Sequence, residues 1–307
     1  MKLNPIYQNE LKLRARKKHM ILITLGYNLL LAFFGLFAFY ITFTFGESSM
    51  GSRQYRSILN VYAIIAAIQF GFLLFVIPAV TATAIAGERE KQTLEILLTT
   101  KIASLKVITG KLASSISFLV FLGISSLPVL SLVFSIGGIR FWDLLEVIVL
   151  ILVTAIYIGS IGLFFSALYK RSSVATICTY VAMIALVAGT VGVVWGVSKI
   201  QEIMGLQLHT IGGAYAGKPD VGNWLLLLLL NPAVTCISMI ERHTGTGIGL
   251  QGAFSRFGIL DGWIMEYWFF ASILIQLGIG ILCLIGAGKV LNPIKKKGAK
   301  ARNRRVI

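Results

Sequence analysis

Charge is scarce in this chain of 307 residues, and acidic charge is the scarcest. Only 13% of the residues are charged, and 12 Asp and Glu stand against 28 Lys and Arg. A soluble domain usually carries about a quarter charged residues. Because hydrophobic residues make up 57% of the chain and the mean hydropathy is +0.85, the composition excludes an ordinary soluble fold and indicates an integral membrane protein.

The chain also lacks the sequence motifs of common catalytic and nucleotide-binding sites. No GxxxxGK[ST] loop, HExxH, CxxC or GxSxG occurs in it. Its only cysteines, Cys178, Cys236 and Cys283, lie far apart in apolar runs, where a free thiol packs as a small hydrophobe. The sequence therefore predicts a chain that is not an enzyme, with no catalytic residue, no metal site and no cofactor of its own.

Ionisable residues are missing from the centres of the long apolar segments. The most polar residues there are Gln69 and Gln276. Ion-coupled carriers and pumps need ionisable side chains inside the bilayer, so a proton-coupled carrier or a charge-lined channel is not favoured. If the protein transports, its energy must come from elsewhere.

Six apolar segments are long enough to cross about 30 Å of hydrocarbon as helices. They predict an all-α, polytopic fold with spans at Met20–Phe45, Ile58–Ala86, Leu112–Ile136, Leu144–Leu168, Val174–Ser198 and Tyr267–Leu291. A seventh run, Trp224–Ile240, is shorter and is interrupted by Asn231-Pro232, which breaks a helix.

The distribution of basic residues decides how the seventh run is placed. If it does not span, 21 of the 28 Lys and Arg share one side with both termini. Lys- and Arg-rich loops stay cytoplasmic, so both termini are predicted inside the cell. A spanning seventh run would put the basic tail outside. We therefore expect residues 224–240 to form a re-entrant hairpin on the outer face, supported there by protein or water.

The same charge pattern defines the parts of a single transmembrane domain, residues 1–307, in the plasma membrane. Residues 1–19 suit a helix on the cytoplasmic membrane surface, residues 20–291 hold the six spans, and residues 292–307 form a basic cytoplasmic tail. The net charge of +16 sits where anionic lipid headgroups attract it. Membrane lipids are thus expected partners, and nucleic acid is not.

The loop between the second and third spans, residues 87–111, is unusually elaborate. Its segment Gly87–Thr100 reads GEREKQTLEILLTT. It concentrates charge near its start and continues with Leu94, Leu98, Ile102 and Leu105 at spacings of four, four and three. That spacing predicts an amphipathic helix that docks onto another surface. A plain solvated surface helix is the alternative.

This loop resembles the first cytoplasmic loop of permeases of the type-2 exporter class of ATP-binding-cassette (ABC) transporters. The matching residues are Gly87, Glu88, Arg89, Glu90, Thr93, Leu94, Glu95, Leu97, Leu98, Thr99, Thr100, Gly110 and Lys111. Gln92 departs from the family, which often has Gly there, a change that a helix tolerates well. The N-terminal NPIYQNELKLRARKKH is similar to the family's surface elbow helix, and NWLLLLLLNPAVTCISMIER resembles its outer re-entrant helices.

The resemblance implies a mechanism and a set of partners. Two permeases, identical or homologous, would pair, and each would dock a coupling helix into a cytoplasmic ABC ATPase subunit that carries ATP and Mg²⁺. The coupling-helix residues would be Gly87, Glu88, Arg89, Glu90, Lys91, Gln92, Thr93, Leu94 and Glu95. A non-transporting membrane scaffold or sensor that recruits an ATPase is the alternative, and an intramembrane enzyme is a more distant one. The substrate class stays open.

Three further patterns point to candidate surfaces. Phe33, Phe37 and Tyr40 share one face of the first span, which could face a substrate, lipid or a second subunit. Gly192 and Gly196 form a GxxxG in the fifth span, which would allow two helices to approach closely. The outer hairpin is expected to form a lid over the exit from the dimer interface, or only to seal the dimer against water. Its candidate residues are Trp224, Asn231 and Pro232.

Overall fold

The computed structural model describes residues 7–8, 10–12, 18–45, 52–94, 104–128, 140–210, 221–245 and 267–291. These residues form helices and short turns, and no strand occurs among them. The predicted all-α fold class is therefore confirmed. The basic tail, residues 292–307, lies outside the described residues.

Nine α-helices run along the described part of the chain. They are α1 (Lys18–Phe45), α2 (Ser52–Thr81), α3 (Thr83–Glu90), α4 (Ser104–Ser125), α5 (Phe141–Leu168), α6 (Ser172–Ile184), α7 (Thr190–Thr210), α8 (Pro232–Thr244) and α9 (Trp268–Leu291). A π-helical turn, Ala185–Gly189, joins α6 to α7, and a 3₁₀ helix, Gly222–Leu230, precedes α8.

Six helical segments of the described chain are long and apolar enough to cross a membrane. They are Ile21–Thr42, Leu59–Glu90, Leu105–Ser125, Trp142–Leu168, Ser172–Met204 and Trp268–Leu291. The six predicted spans are therefore confirmed in number and order. The 3₁₀ helix and α8 meet at an angle of 95°, so the predicted break at Asn231-Pro232 is a sharp bend between two short pieces.

Helix α5 is the centre of the bundle. It is the most buried of the candidate spans, and α9, α4, α2 and α6 pack around it. Gly280 of α9 lies against the backbone of α5, since a Cβ on it would lie 3.5 Å from the Cα of Tyr157. Tyr157 and its neighbours Ile158 and Ala155 are fully buried in the main apolar cluster.

The bundle has two ends, which we name by their contents. The GERE end holds Gly87–Glu90, and the hairpin end holds Gly222–Thr244. Glu10 reaches Lys111 near the GERE end, and Leu291 packs in one apolar cluster with Leu94 there. The described parts nearest the two chain termini thus lie at the same end, as an even number of spans requires.

Some helix bounds differ from the sequence prediction. The third spanning helix begins at Ser104 rather than at Leu112, and residues 129–139 lie outside the described part. Lys111, expected at the entrance of the span, is therefore well inside helix α4.

Candidate functional site

The GERE end is built on the short helix α3, which continues α2 after one turn residue, Ala82. The backbone N–H groups of Ile85 and Ala86 both donate to Ser166 Oγ of α5, at 2.9 Å each. Both residues are fully buried. Because a side-chain hydroxyl from α5 satisfies two buried backbone donors, α3 is fixed against the end of the central helix.

Glu88 joins α3 to two other elements through a buried lysine. Lys111 Nζ donates to Glu88 Oε1 and to Glu10 Oε1, each at 2.6 Å. The Lys111 side chain is only 3% exposed, so its charge needs these carboxylates as compensation. We call Glu10, Glu88 and Lys111 the lysine clamp. It connects the N-terminal segment, α3 and α4.

Arg89 holds the end of α5. Its guanidinium donates from one nitrogen to the carbonyl of Tyr169 at 2.9 Å and from the other to the carbonyl of Ala167 at 3.1 Å. The last carbonyls of a helix have no partner within the helix and carry partial negative charge. Arg89 satisfies two acceptors at the end of α5 with its forked donor group.

Glu90 holds the beginning of α6 in the complementary way. One carboxylate oxygen accepts from the backbone N–H of Ser172 at 2.8 Å, and the other accepts from Ser172 Oγ at 2.6 Å. A helix N-terminus offers free N–H groups and partial positive charge. Consecutive side chains of α3 therefore bind the end of one spanning helix and the beginning of the next.

The segment then turns outward instead of continuing as a helix. Helix α3 ends at Glu90, and Gln92 has φ +58°, the left-handed conformation that Gly adopts most readily. The expectation that Gln92 sits in a helix is therefore wrong: the position is the left-handed residue that follows a helix end. A family preference for Gly would fit this backbone.

The exposed tip consists of Glu90, Lys91, Gln92 and Thr93, all of which are exposed. Thr93 Oγ1 donates to the carbonyl of Glu88 at 3.2 Å. Leu94, in contrast, is buried and packs in a cluster with Ile85, Leu112 and Leu163 of the surrounding helices. The tip is thus anchored on both sides.

The rest of the predicted docking segment is only partly described. Gly87 is half-buried, and none of the described residues lies within 4 Å of the place where its Cβ would be. Glu95, Leu98 and Ile102 lie outside the described residues. Leu105 is half exposed and belongs to α4, so the described residues of the predicted amphipathic stripe stand on different elements.

The hairpin end places the predicted lid residues at the bend. Asn231 caps α8: its Oδ1 accepts from the backbone N–H of Ala233 at 2.9 Å and of Val234 at 3.3 Å. Pro232 is the first residue of α8 and is buried, a position where its missing N–H costs nothing. Trp224 is about half exposed.

The other candidate residues stand on open faces of the described bundle. Phe33, Phe37 and Tyr40 are each more than half exposed, and the rings of Phe33 and Phe37 stack with centroids 6.3 Å apart. A Cβ on Gly192 or Gly196 would meet nothing within 4 Å among the described residues. The structure therefore leaves both faces available to lipid or to another chain.

Sequence reasoning missed a charged cluster at the hairpin end. Glu146 of α5 accepts from Arg242 and, at 2.8 Å, pairs with His243 Nε2. The other ring nitrogen of His243 pairs with the Tyr62 hydroxyl at 2.8 Å. The tautomer with its hydrogen on Nε2 donates to Glu146 and accepts from Tyr62, which satisfies both ring nitrogens.

Arg242 also lies over two aromatic rings of α9. Its Cζ is 4.7 Å from the ring centroid of Phe269 and 5.7 Å from that of Phe270, within reach of a cation–π interaction. The cluster ties α8 to α2, α5 and α9. The sequence signal was an acidic residue near one span end and the Arg242-His243 pair, but nothing in the sequence paired them.

Comparison with known proteins supports the assignment that the loop motif indicated. No curated protein matches the chain. The family model described as ABC-2 family transporter protein matches residues 4–283, which include all six candidate spans except the end of the last, both short helices of the hairpin end and the whole GERE end. This chain is a member of the ABC-2 transporter family, a membrane permease.

Proposed function

We propose that this permease is half of an ATP-driven exporter in the plasma membrane. A second permease, identical or homologous, completes the pathway, and each permease docks a cytoplasmic ABC ATPase at the GERE end. ATP and Mg²⁺ bind to the ATPase, and this chain supplies the docking surface and the path. The docking residues are those of the segment Gly87–Glu95.

One observation carries the proposal: the exposed tip and the helix contacts belong to the same short segment. Lys91, Gln92 and Thr93 face outward, while the residues just before them bind four other elements. Arg89 binds the end of α5, Glu90 the start of α6, and Glu88 reaches α4 and the N-terminal segment through Lys111. A partner that displaces the tip must therefore move several helices together.

These contacts favour transmission of force over simple adhesion. The bonds of Arg89 and Glu90 are charge-assisted, and each side chain uses both of its terminal nitrogens or oxygens, which fixes its orientation. Helix α5 and the fifth span, which consists of α6, the π turn and α7, run from the GERE end to the hairpin end, so rigid motion at one end changes their positions at the other. A scaffold that only holds an ATPase would not need such links.

The hairpin end supplies the proposed outer gate. The 3₁₀ helix and α8 pack apolar faces on α7 and α9, in a cluster that includes Leu225, Val234 and Trp268. Polar links from Asn231 and the charged cluster hold the same unit to four spanning helices. We infer that this hairpin covers the exit of the pathway as a lid. Export then requires the hairpin to move.

A photo-crosslinking experiment tests the docking site. A benzoylphenylalanine placed at Gln92, which is exposed, should crosslink in native membranes to a protein that carries a nucleotide-binding P-loop. The same probe at Trp224, exposed at the opposite end, serves as the matched control and should not. A P-loop partner crosslinked from Trp224 but not from Gln92 would reject the site.

Transport itself is tested after reconstitution of the permease with that ATPase in vesicles. Arg89→Ala should reduce substrate transport per ATP hydrolysed in the complexes that form, because the link from the docking segment to α5 is lost. A complex that binds and hydrolyses ATP without moving any compound, wild type included, would establish the scaffold or sensor instead.

The orientation in the membrane has its own test. In a variant without the three native cysteines, Lys91→Cys should react with an impermeant maleimide only from the cytoplasm. Lys199→Cys, half exposed near the opposite end, should react only from outside. Labelling of both positions from one side would contradict the six-span orientation.

A further inference from the structure

The fifth spanning segment contains a defect that the outer hairpin holds in place. Helices α6 and α7 are joined by the π-helical turn Ala185–Gly189, which we call the wide turn. A π turn accommodates one extra residue in a helix and occurs mostly as single turns, frequently at functional sites. The wide turn is fully inside the candidate span Ser172–Met204.

Side chains supply donors to two carbonyls of the wide turn. Asn231 Nδ2 donates to the carbonyl of Val187 at 2.8 Å. Thr190 Oγ1 donates to the carbonyl of Leu186 at 2.7 Å. Asn231 Nδ2 also donates to Thr190 Oγ1 at 2.9 Å, so the two donors form one connected network.

All hydrogen-bonding positions of the Asn231 side chain are used. Its amide nitrogen gives both hydrogens to the fifth span, and its oxygen accepts from Ala233 and Val234 of α8. Asn231 is completely buried, where an unmet polar group is costly. The residue therefore caps α8 and binds the wide turn at the same time, and separation of the hairpin from the fifth span would break both bonds of its amide nitrogen.

The wide turn also decides which face of α7 meets the hairpin. Val194 is 3% exposed and packs among Leu225, Leu228 and Val234, whereas its neighbour Val193 is 43% exposed. An α-helix advances about 100° per residue. If the wide turn became a regular α turn, the rest of α7 would rotate by about that amount, and Val193 would take the angular position of Val194.

The half of the segment before the wide turn is anchored, so the rotation would fall on α7. Ser172 at the start of α6 is bonded to Glu90. Tyr180 donates from its hydroxyl to the carbonyl of Phe75 on α2, at 2.8 Å. These contacts fix α6 against α2 and α3.

We propose that Asn231 is a positioning residue that sets the rotational register of the fifth span by holding the wide turn. Removal of the Asn231 amide converts the turn to α geometry and rotates α7, and release of the hairpin in the intact protein has the same effect. Movement of the lid and rotation of α7 are then a single event. This inference does not depend on export or on an ATPase.

Spin labels test the register directly in the purified full-length chain. In a background without native cysteines, a label at Val193 reports on α7, and a label at Ile177, 62% exposed on α6, is the reference. Oxygen accessibility in lipid vesicles should be high at both positions in the parent. In Asn231→Ala it should fall severalfold at Val193 and stay unchanged at Ile177.

Two further variants distinguish a change in the register of α7 from loss of the cap of α8 and from loss of contacts between the hairpin and α9. Asn231→Asp keeps an oxygen to cap α8 but loses the two N–H donors, so it should behave as Asn231→Ala does. Gln276→Leu removes bonds from α9 to the hairpin, to the carbonyl of Leu229 at 3.2 Å and to Thr235 Oγ1 at 2.8 Å, without touching the wide turn. It should leave Val193 accessible.

The outcomes that overturn the proposal are equally specific. Unchanged accessibility at Val193 in folded Asn231→Ala would show that Asn231 only caps α8. An equal fall at Val193 in Gln276→Leu, which keeps the bonds of Asn231 to the wide turn, would show that Asn231 does not set the register. A fall at Ile177 together with Val193 would show a general rearrangement rather than a rotation of α7.

Discussion

Lys111 places its ammonium nitrogen 2.6 Å from a carboxylate oxygen of Glu88, inside a helix that otherwise carries a strongly apolar sequence. The same nitrogen binds Glu10, which lies 101 positions earlier in the chain. Two carboxylates thus share one buried cation at the point where the N-terminal segment, α3 and α4 meet. The position of the GERE end depends on this charge balance.

Lys111→Met should destabilise the protein strongly, because it leaves two carboxylates close together without their cation. Breaking a buried pair by removing one partner costs about 3–5 kcal/mol, and the lower end applies here because Glu88 keeps some exposure. Thermal unfolding in detergent measures the effect. Lys289→Met, a change of the same type at an exposed lysine in the last turn of α9, should cost less than about 1 kcal/mol.

A double variant checks the cause of the Lys111 effect. Glu88→Gln combined with Lys111→Met removes one of the two carboxylate charges that face Lys111, so the double variant should be more stable than Lys111→Met alone. Strictly additive losses would mean that Lys111 stabilises α4 by packing and not by its charge.

The left-handed residue at the tip gives a second prediction. Gln92 has φ +58°, which costs a residue with a Cβ about 1–2 kcal/mol relative to glycine. Gln92→Gly should therefore raise the melting temperature slightly or leave it unchanged, since its greater freedom in the unfolded chain offsets part of the gain. Gln92→Val should lower it, because a branched side chain fits this backbone poorly. A valine variant as stable as the glycine variant would contradict the turn.

The sequence was sufficient to predict the fold class and the spans but not the turn at Gln92. Hydropathy and length determine that a segment such as Trp142–Leu168 crosses a membrane, since both are local properties. The end of α3 at Glu90 depends on where Arg89 and Glu90 find partners, on α5 and at Ser172. Those partners lie about 80 positions away, and a periodic pattern in one segment carries no information about them.

The same limit explains what was missed at the hairpin end. Asn231-Pro232 indicated a break, and the two short helices meet there at 95°. The wide turn at Ala185–Gly189 has an unremarkable apolar sequence, so no pattern predicted it. Its donor comes from Asn231, in a different element of the fold.

Close packing of α5 against the second span provides a third prediction. A Cβ on Gly162 would overlap Thr81 Oγ1 and would come within 3.4 Å of the backbone nitrogen of Ala82. Gly162→Ala should therefore cost about 1–3 kcal/mol by overpacking. Gly278→Ala, where a Cβ would meet nothing within 4 Å, is the matched control and should be neutral or stabilising.

Shortening the opposing side chain should relieve the overlap. Thr81→Ala removes the hydroxyl that Gly162→Ala would strike, so the double variant should recover most of the lost stability. Failure of Thr81→Ala to restore any stability would place the strain against the Cβ of residue 81, 3.1 Å from the added methyl group, and the backbone of Ala82 instead.

The charged cluster at the hairpin end supports the last prediction, and the chain contains a good control for it. Glu146 receives hydrogen bonds from Arg242 and His243, and the His243 side chain is only 2% exposed. Glu146→Gln keeps the size of the side chain but removes the charge that both partners face. Hydrogen bonds to charged groups are worth about 1.5–3 kcal/mol; because Glu146 and Arg242 are each about one-third exposed, we expect a loss near the lower end.

Glu202→Gln breaks the ion pair with Lys199, in which both side chains are about half exposed, and such pairs contribute about 0–1 kcal/mol. The two substitutions are chemically identical, so the difference in melting temperature between them measures what the buried cluster contributes beyond a surface ion pair. Proteolysis at α8 gives a local measure, since only Glu146→Gln should expose the hairpin to cleavage. Equal melting temperatures and equal proteolysis for the two variants would mean that the cluster does not hold α8 to the central helix.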